Sequence, residues 1–258
     1  MDLADLNKDN FVAHYTSLDT AVRYILPAYK IRVSSVGILN DPYENTADWI
    51  QSEATLGFNF DFQKSVSLSK IKQKAINHIK VFSTTAFEEQ SDNYDITKHI
   101  YCRPRMWAQY GDNHKGVCLI FDKNELEKAF SLLNPIAIKS NKVDYPPFME
   151  STDCNIDPSK FRSILNDPHE LYEALNHNYI MEHRFFRKHS DWKNENEYRW
   201  LLFMEQMDDV YVYCEKALKA IVFGCDVPQS YYSSLKYYGI PTYSLLFMSG
   251  KYSVDSCK

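Results

Sequence analysis

The sequence predicts one α+β domain over residues 1–258, with its core at about residues 11–247. Three observations lead there. Helical patterns cluster early in the chain, and short apolar strands crowd about the last seventy residues. No internal repeat and no linker rich in Gly, Ser or Pro divides it. A length of 258 residues suffices to bury a substantial core, and 45% hydrophobic with 24% charged residues is a globular balance.

A short strand, Phe11 to Tyr15, opens the domain and runs into a helix from Leu18 to about Leu26, with Leu18, Ala21, Val22 and Ile25 as its apolar stripe. Thr16 or Ser17 caps this helix and Pro27 ends it. A strand over Lys30 to Ser34 leads to Asn40 Asp41 Pro42, where Asp41 caps a helix that begins at Pro42. An amphipathic helix from about Gln63 to His78 feeds a strand, Ile79 to Thr84, and then a loop rich in Gln, Ser, Asp and Asn. A helical turn over Arg105 to Tyr110 precedes a strand from Gly116 to Phe121. Asp122 with Glu125 is a capping-box-like start for a helix over Lys123 to Leu133. A strand from Lys139 to Tyr145 stops at Pro146 Pro147. Asp167 Pro168 His169 Glu170 repeats the pattern of cap, proline and acid, and opens a long helix to about Lys188. The β-rich end comprises Glu197 to Phe203, Val210 to Cys214, Ala220 to Gly224 and Pro241 to Phe247, with a helix near Gln229 to Tyr238.

Composition narrows the function. A formal net charge of −5 argues against a protein that wraps a nucleic-acid backbone by counterion release. The 19 Tyr, 15 Phe and 4 Trp provide flat faces on which a planar ligand can stack. Six scattered cysteines form no CxxC pair, so neither a zinc ribbon nor a redox motif is expected and the thiols are read as reduced. Met1 to Asp5 is acidic, without the basic-then-apolar pattern of a secretory signal. No apolar run approaches the roughly 20 residues that cross a bilayer. A soluble cytoplasmic protein without a membrane partner is expected. No GxGxxG, P-loop, GxSxG or HExxH occurs, and the histidines after Asp167 lack the i, i+4 pair of a helical zinc site, so no metal is predicted.

Several constellations can carry chemistry. His14 Tyr15 Thr16 brings an imidazole, a phenol and a hydroxyl to a helix amino terminus, which suits a phosphate or ribose hydroxyl or, alternatively, forms a buried His beside a capping Thr. In Asn40 Asp41 Pro42 Tyr43 Glu44 the first two residues read as turn and cap, while Glu44 either serves the helix dipole or faces a cleft. Ser83 Thr84 Thr85 ends a strand in three hydroxyls, which orient a carboxylate and contact ribose or form local turns. In the block from Trp107 to Gly116, Met106, Trp107 and Tyr110 fall on one helical stripe, and His114 is the candidate ligand contact of the polar loop.

The densest signal is Trp192 Lys193 Asn194 Glu195 Asn196 Glu197 Tyr198 Arg199 Trp200. In an extended strand Glu195 and Glu197 would point the same way, and two buried like charges need something positive opposite. That partner is a cationic substrate or transition state or, in the ordinary alternative, Glu195 is solvated and Glu197 pairs with Arg199.

Taken together, His14 Tyr15 Thr16, Asn40 to Glu44, Phe82 Ser83, Met106 to Gly116 and Trp192 to Arg199 resemble a bacterial family defined only as a domain of unknown function, DUF2971, over roughly Phe11 to Gly224. A more distant resemblance is to ADP-ribosyltransferases, which carry His, hydroxyl and Glu-x-Glu motifs in the same order. It implies a central, mostly antiparallel split sheet with flanking helices and NAD as the substrate. His14, with Ser83 and Thr84, would contact the cofactor, helped by Tyr15, Thr16, Tyr43, Glu44 and His114. Glu197 would stabilise charge on the nicotinamide ribose and Glu195 would activate the acceptor, which is a protein, a nucleic acid or water. Tyr15 or Tyr43 would stack on the nicotinamide. Bacterial enzymes of this kind often serve as toxins or phage-defence effectors. The Asn40 to Glu44 and Trp107 to Gly116 segments depart from the transferase pattern. Two other classes stay open: a noncatalytic nucleotide sensor, and a nucleic-acid-processing enzyme with Asp41, Glu44, Glu195 and Glu197 around a metal.

Overall fold

Runs of β-branched and aromatic residues form the centre of the molecule, as in Val117–Asp122, whose first five residues are all buried. The computed structural model describes residues 3–55, 61–89, 95–149 and 153–257. Among them lie strands β1 (Phe11–Thr16), β2 (Lys30–Ser35), β3 (Ile50–Gln51), β4 (Ile79–Ala86), β5 (Val117–Asp122), β6 (Ala137–Lys142), β7 (Cys154–Asn155), β8 (Glu197–Phe203), β9 (Val210–Tyr213), β10 (Leu218–Phe223), β11 (Thr242–Met248) and β12 (Lys251–Ser256). Ten of them build one sheet in the order β12-β11-β10-β5-β1-β4-β2-β9, with β8 and then β6 attached at β4. Its pairings are antiparallel except β10 with β11, whose crossover carries the helix Ser230–Lys236.

The sheet divides at β4. One edge of β4 pairs with β8 from Ile79 to Thr85. The opposite edge is shared: β1 takes Thr85 and Ala86, whereas β2 takes Lys80 and Val81. Between them, Phe82 to Thr84 meet no strand, so the Ser83 carbonyl is left for a side chain.

One face of the sheet packs into a single apolar layer around Val12, Phe82, Leu119, Phe121, Trp200 and Phe223. On the other face two apolar groups lie apart. Ile79, Val81, Leu201 and Phe203 pack under the helices Phe62–His78 and Pro168–Asn176. Ala13, Tyr15, Cys118 and Ile120 pack with Trp107. Between the two groups the same face of β4 and β8 turns polar, through Ser83, Thr85, Glu197 and Arg199, whose registers pair Ser83 with Arg199 and Thr85 with Glu197. The polar patch is thus walled by core on both sides.

The helix-start signals act as the sequence predicts. Ser17 caps Leu18–Thr20, which continues as a π-turn over Ala21–Ile25, and Asp41, Asp122 and Asp167 each accept a backbone N–H of the helix they open. Other expectations need correction. The long helix from Pro168 breaks after Asn176, because Tyr179 adopts φ +59° and starts a separate helix, Ile180–Phe185. The strand expected over Lys139 to Tyr145 starts and ends earlier, at Ala137–Lys142, where it pairs with β8. The helix Phe161–Asn166 and strands β3, β7 and β12 carry patterns too short or too polar to announce them. The polar loop after β4 falls largely on residues 90–94, outside the described residues.

Gly116 connects the Trp107 block to β5, and a Cβ there would collide with the backbone carbonyls of Thr16 and Gly111. Backbone cannot yield as a side chain does, so Gly116→Ala is expected to destabilise the protein by about 1–3 kcal/mol in a denaturant titration. An unchanged midpoint would refute this close approach.

Candidate functional site

Glu197 is the first residue of β8 and Arg199 follows on the same face, so the strand aims both at the patch. Glu195 arrives differently from the expectation of one shared strand. It ends a 3-10 turn, Ser190–Glu195, and Asn196 then adopts a left-handed conformation (φ 45°) that reverses the chain into β8. Asn196 tolerates that conformation, and its side-chain amide donates to Ala86 O at 2.8 Å while Ala86 N donates to Asn196 O at 2.7 Å. Both glutamates nevertheless converge.

They converge on Lys188. Its Nζ lies 2.9 Å from Glu195 Oε2, 2.9 Å from Glu197 Oε2 and 3.9 Å from Glu44 Oε2. Arg199 donates from Nε to Glu197 Oε1 at 2.7 Å and from Nη1 to Phe185 O at 2.6 Å, and it also pairs with Glu44 Oε1. Tyr110 donates its hydroxyl to Glu195 Oε1 at 2.6 Å, and Glu197 N donates to the Tyr145 hydroxyl at 2.9 Å. Three carboxylates and two cations therefore form one network, in which Arg199 is 0%, Glu44 1%, Glu195 3%, Glu197 4% and Lys188 7% exposed. Water screens these charges little, so partner geometry decides protonation.

For Glu197, burial alone would raise the carboxyl, but Arg199 and Lys188 outweigh it and hold it down at about 2. For Glu44, burial wins over the same two cations and raises it, with the Glu197 charge adding to the rise. Burial lowers Lys188, yet the three glutamates reverse that and raise it, so it stays an ammonium. Burial, then the Glu195 charge, raises Tyr110 and keeps it a hydrogen-bond donor.

A cavity of about 190 Å³ opens on this network. Its lining includes His14, Ser83, Thr85, Glu44, Glu195 and Glu197, together with the apolar side chains of Ile38, Leu39, Met106 and Trp192. His14 sits at the division of the sheet, with Nδ1 3.1 Å from Ser83 O and its ring 5.0 Å from that of Phe82. Burial keeps its pKa below the ordinary histidine value, and the Ser83 contact offsets this in part. A neutral ring donating from Nδ1 presents Nε2 as an acceptor. The Thr85 hydroxyl and Arg199 Nη2 are buried without a hydrogen-bond partner among the described residues, and the Ser83 side chain lies against Glu197.

His14, Tyr15, Glu44, Ser83, Thr84, Glu195 and Glu197 all border this one cavity. Some have their polar groups engaged. The Tyr15 hydroxyl donates to Ile100 O at 2.7 Å and its ring meets Trp107 edge-on, while Thr84 donates to Tyr198 O at 2.8 Å. Thr16, Tyr43 and His114 lie outside the lining. The Tyr43 ring is covered by the Arg184 guanidinium at 3.6 Å. His114 has φ +69°, stacks between Trp107 and Tyr252 and meets the Tyr252 hydroxyl at 3.2 Å, which ties β12 to the sheet. The Trp107 block thus supports the site from behind and contributes Tyr110 and Met106 to it.

Lys188, Tyr110 and Trp192 were not anticipated as site residues. The sequence pattern places Lys188 at the end of a helix, but two buried carboxylates demand a positive group opposite them, and Lys188 meets that demand. In the ordinary alternative, the Glu197–Arg199 pair is present, whereas Glu195 is buried rather than solvated. No cluster of three or more His, Cys, Asp or Glu arranged to hold a metal occurs among the described residues. No helix among them is long and apolar enough to cross a membrane.

Residues 106–200 match the model of a family described as protein of unknown function (DUF2971). That span takes in the Trp107 block, Lys188 and the Glu195–Glu197 pair, and leaves out His14, Glu44 and Ser83. No curated protein and no solved structure matches the chain significantly.

Proposed function

We propose that the protein is an ADP-ribosyltransferase-like enzyme that cleaves the nicotinamide–ribose bond of NAD and passes ADP-ribose to an acceptor. The observation that carries this reading is that His14, Ser83 and Glu197, from three strands distant in sequence, line a single cavity. Breaking the C–N bond sends its electron pair to the nicotinamide and leaves an oxocarbenium-like sugar. A fixed carboxylate that stays ionised lowers the energy of that state. Glu197, held at about 2 by its two cations, is ionised at any working pH and suits this role rather than proton transfer. Glu195, held by Tyr110 and Lys188 beside it, takes the proton of the attacking group. His14 Nε2 accepts a ribose hydroxyl, and the apolar part of the lining packs on the planar ring. At about 190 Å³ the cavity is smaller than the roughly 300–1,000 Å³ that encloses a whole drug-sized ligand, so one end of the dinucleotide would be seated within it.

The direct test is release of free nicotinamide from NAD, with proteins, nucleic acids and water as acceptors. Turnover by the wild type supports the reading. A rise in melting temperature with NAD but no turnover would instead identify a nucleotide sensor, and activity that requires magnesium or manganese would favour metal-dependent nucleic-acid processing.

The orphaned hydroxyl gives an independent check. Thr85→Val removes a buried hydroxyl that has no hydrogen-bond partner among the described residues, so stability is expected to stay level or rise. If a ligand hydroxyl satisfies that group, the same change weakens NAD binding by about 3–10-fold. Calorimetric titration and thermal unfolding read the two effects, and unchanged affinity would remove Thr85 from the site.

A further inference from the structure

Glu197 has two cations, but among the described residues Glu195 is paired with Lys188 alone. Two carboxylates in one buried site do not both ionise unless a positive charge lies between them. Arg199 cannot supply it, being engaged by Glu197 and Glu44 on its own side of the network. Around the pair lie the phenols of Tyr110 and Tyr145, with His14, Ser83, Thr85, Asn40 and the buried Asp41 on the cavity wall and the Trp192 ring 5.2 Å from Lys188 Nζ. None of these is a fixed cation.

We infer that Lys188 is a positioning residue, whose ammonium keeps Glu195 and Glu197 ionised side by side so that one stabilises charge while the other accepts a proton. The division of labour rests on the proposed NAD reaction, whereas the ionisation of the pair does not. Glu44 is the carboxyl left outside this arrangement. It is the farthest of the three from Lys188 and the one that burial raises, so a proton entering the wild-type network goes there first.

The experiment is a carboxyl-carbon NMR titration of glutamate-labelled protein without NAD, from about pH 8 to pH 5, with the two signals assigned through Glu195→Gln and Glu197→Gln. In the wild type the Glu197 signal does not titrate in that window. In Lys188→Met one of the pair takes up a full proton within it, and Lys188→Arg restores the wild-type curves. A folded Lys188→Met protein in which both carboxyls stay ionised would overturn the inference. If Lys188→Met does not fold, the double variant with Glu195→Gln decides: recovery of folding supports the inference, because the unmatched carboxylate has been removed. Equal failure of the double variant makes Lys188 a packing residue and overturns it. Because NAD is absent, the titration decides the role of Lys188 whether or not the wild type releases nicotinamide.

Discussion

Arg199→Met is expected to destabilise the protein by about 3–5 kcal/mol, the usual cost of removing one partner from a buried ion pair. Arg199 is fully buried and holds Glu197, Glu44 and the Phe185 carbonyl at once, so its loss leaves three buried carboxylates, Glu44, Glu195 and Glu197, with Lys188 as the one cation of the network. Met fills similar volume, which keeps the effect electrostatic. Arg199→Lys should recover only part, since an ammonium cannot span the three acceptors as a guanidinium fork does. The pH dependence has a defined sign. Glu197 is depressed to about 2 from an ordinary 4.5, so its contribution is complete above 4.5 and lost as pH falls toward 2. The gap between wild type and Arg199→Met therefore narrows over that range. Denaturant titrations at neutral pH and near pH 3 measure it, and a loss below about 1 kcal/mol at neutral pH would contradict the network.

Glu197→Gln is expected to lower nicotinamide release from NAD by about 10²–10³-fold, the usual effect of removing one group aimed at charge developing in a transition state. The amide keeps the shape and the backbone contact with Tyr145 but carries no charge. The loss should fall on kcat more than on KM, because the carboxylate matters chiefly once positive charge has built up on the sugar. Equal background release by wild type and Glu197→Gln would end the proposed reaction.

Much of the fold was legible because its signals are local. A continuous apolar run announced β5 and largely apolar or aromatic stretches announced β1, β4 and β8, while Ser17, Asp41, Asp122 and Asp167 cap helices through hydrogen bonds within a few residues. The break at Tyr179 was hidden, since nothing in the His177 to Tyr179 stretch marks a left-handed turn. Strand β12 was hidden because Lys251 to Ser256 is polar and its pairing with β11 comes from tertiary context. At the site, residue types were readable and relations were not. Glu195 and Glu197 meet through a 3-10 turn and the reversal at Asn196, and the charge between them comes from Lys188, seven residues before Glu195. The Tyr15 ring lines the cavity while meeting Trp107, whereas Tyr43 and His114, of suitable chemistry, pack on Arg184 and Tyr252 outside the lining.

In the proposed reaction one NAD molecule reaches His14 and Glu197 together. Titrating NAD into protein labelled at histidine rings and glutamate carboxyls tests it most directly, with the two signals assigned by substitution. Both should move along one saturable curve with a shared Kd. A response at only one of them, or curves with different midpoints, would contradict the claim.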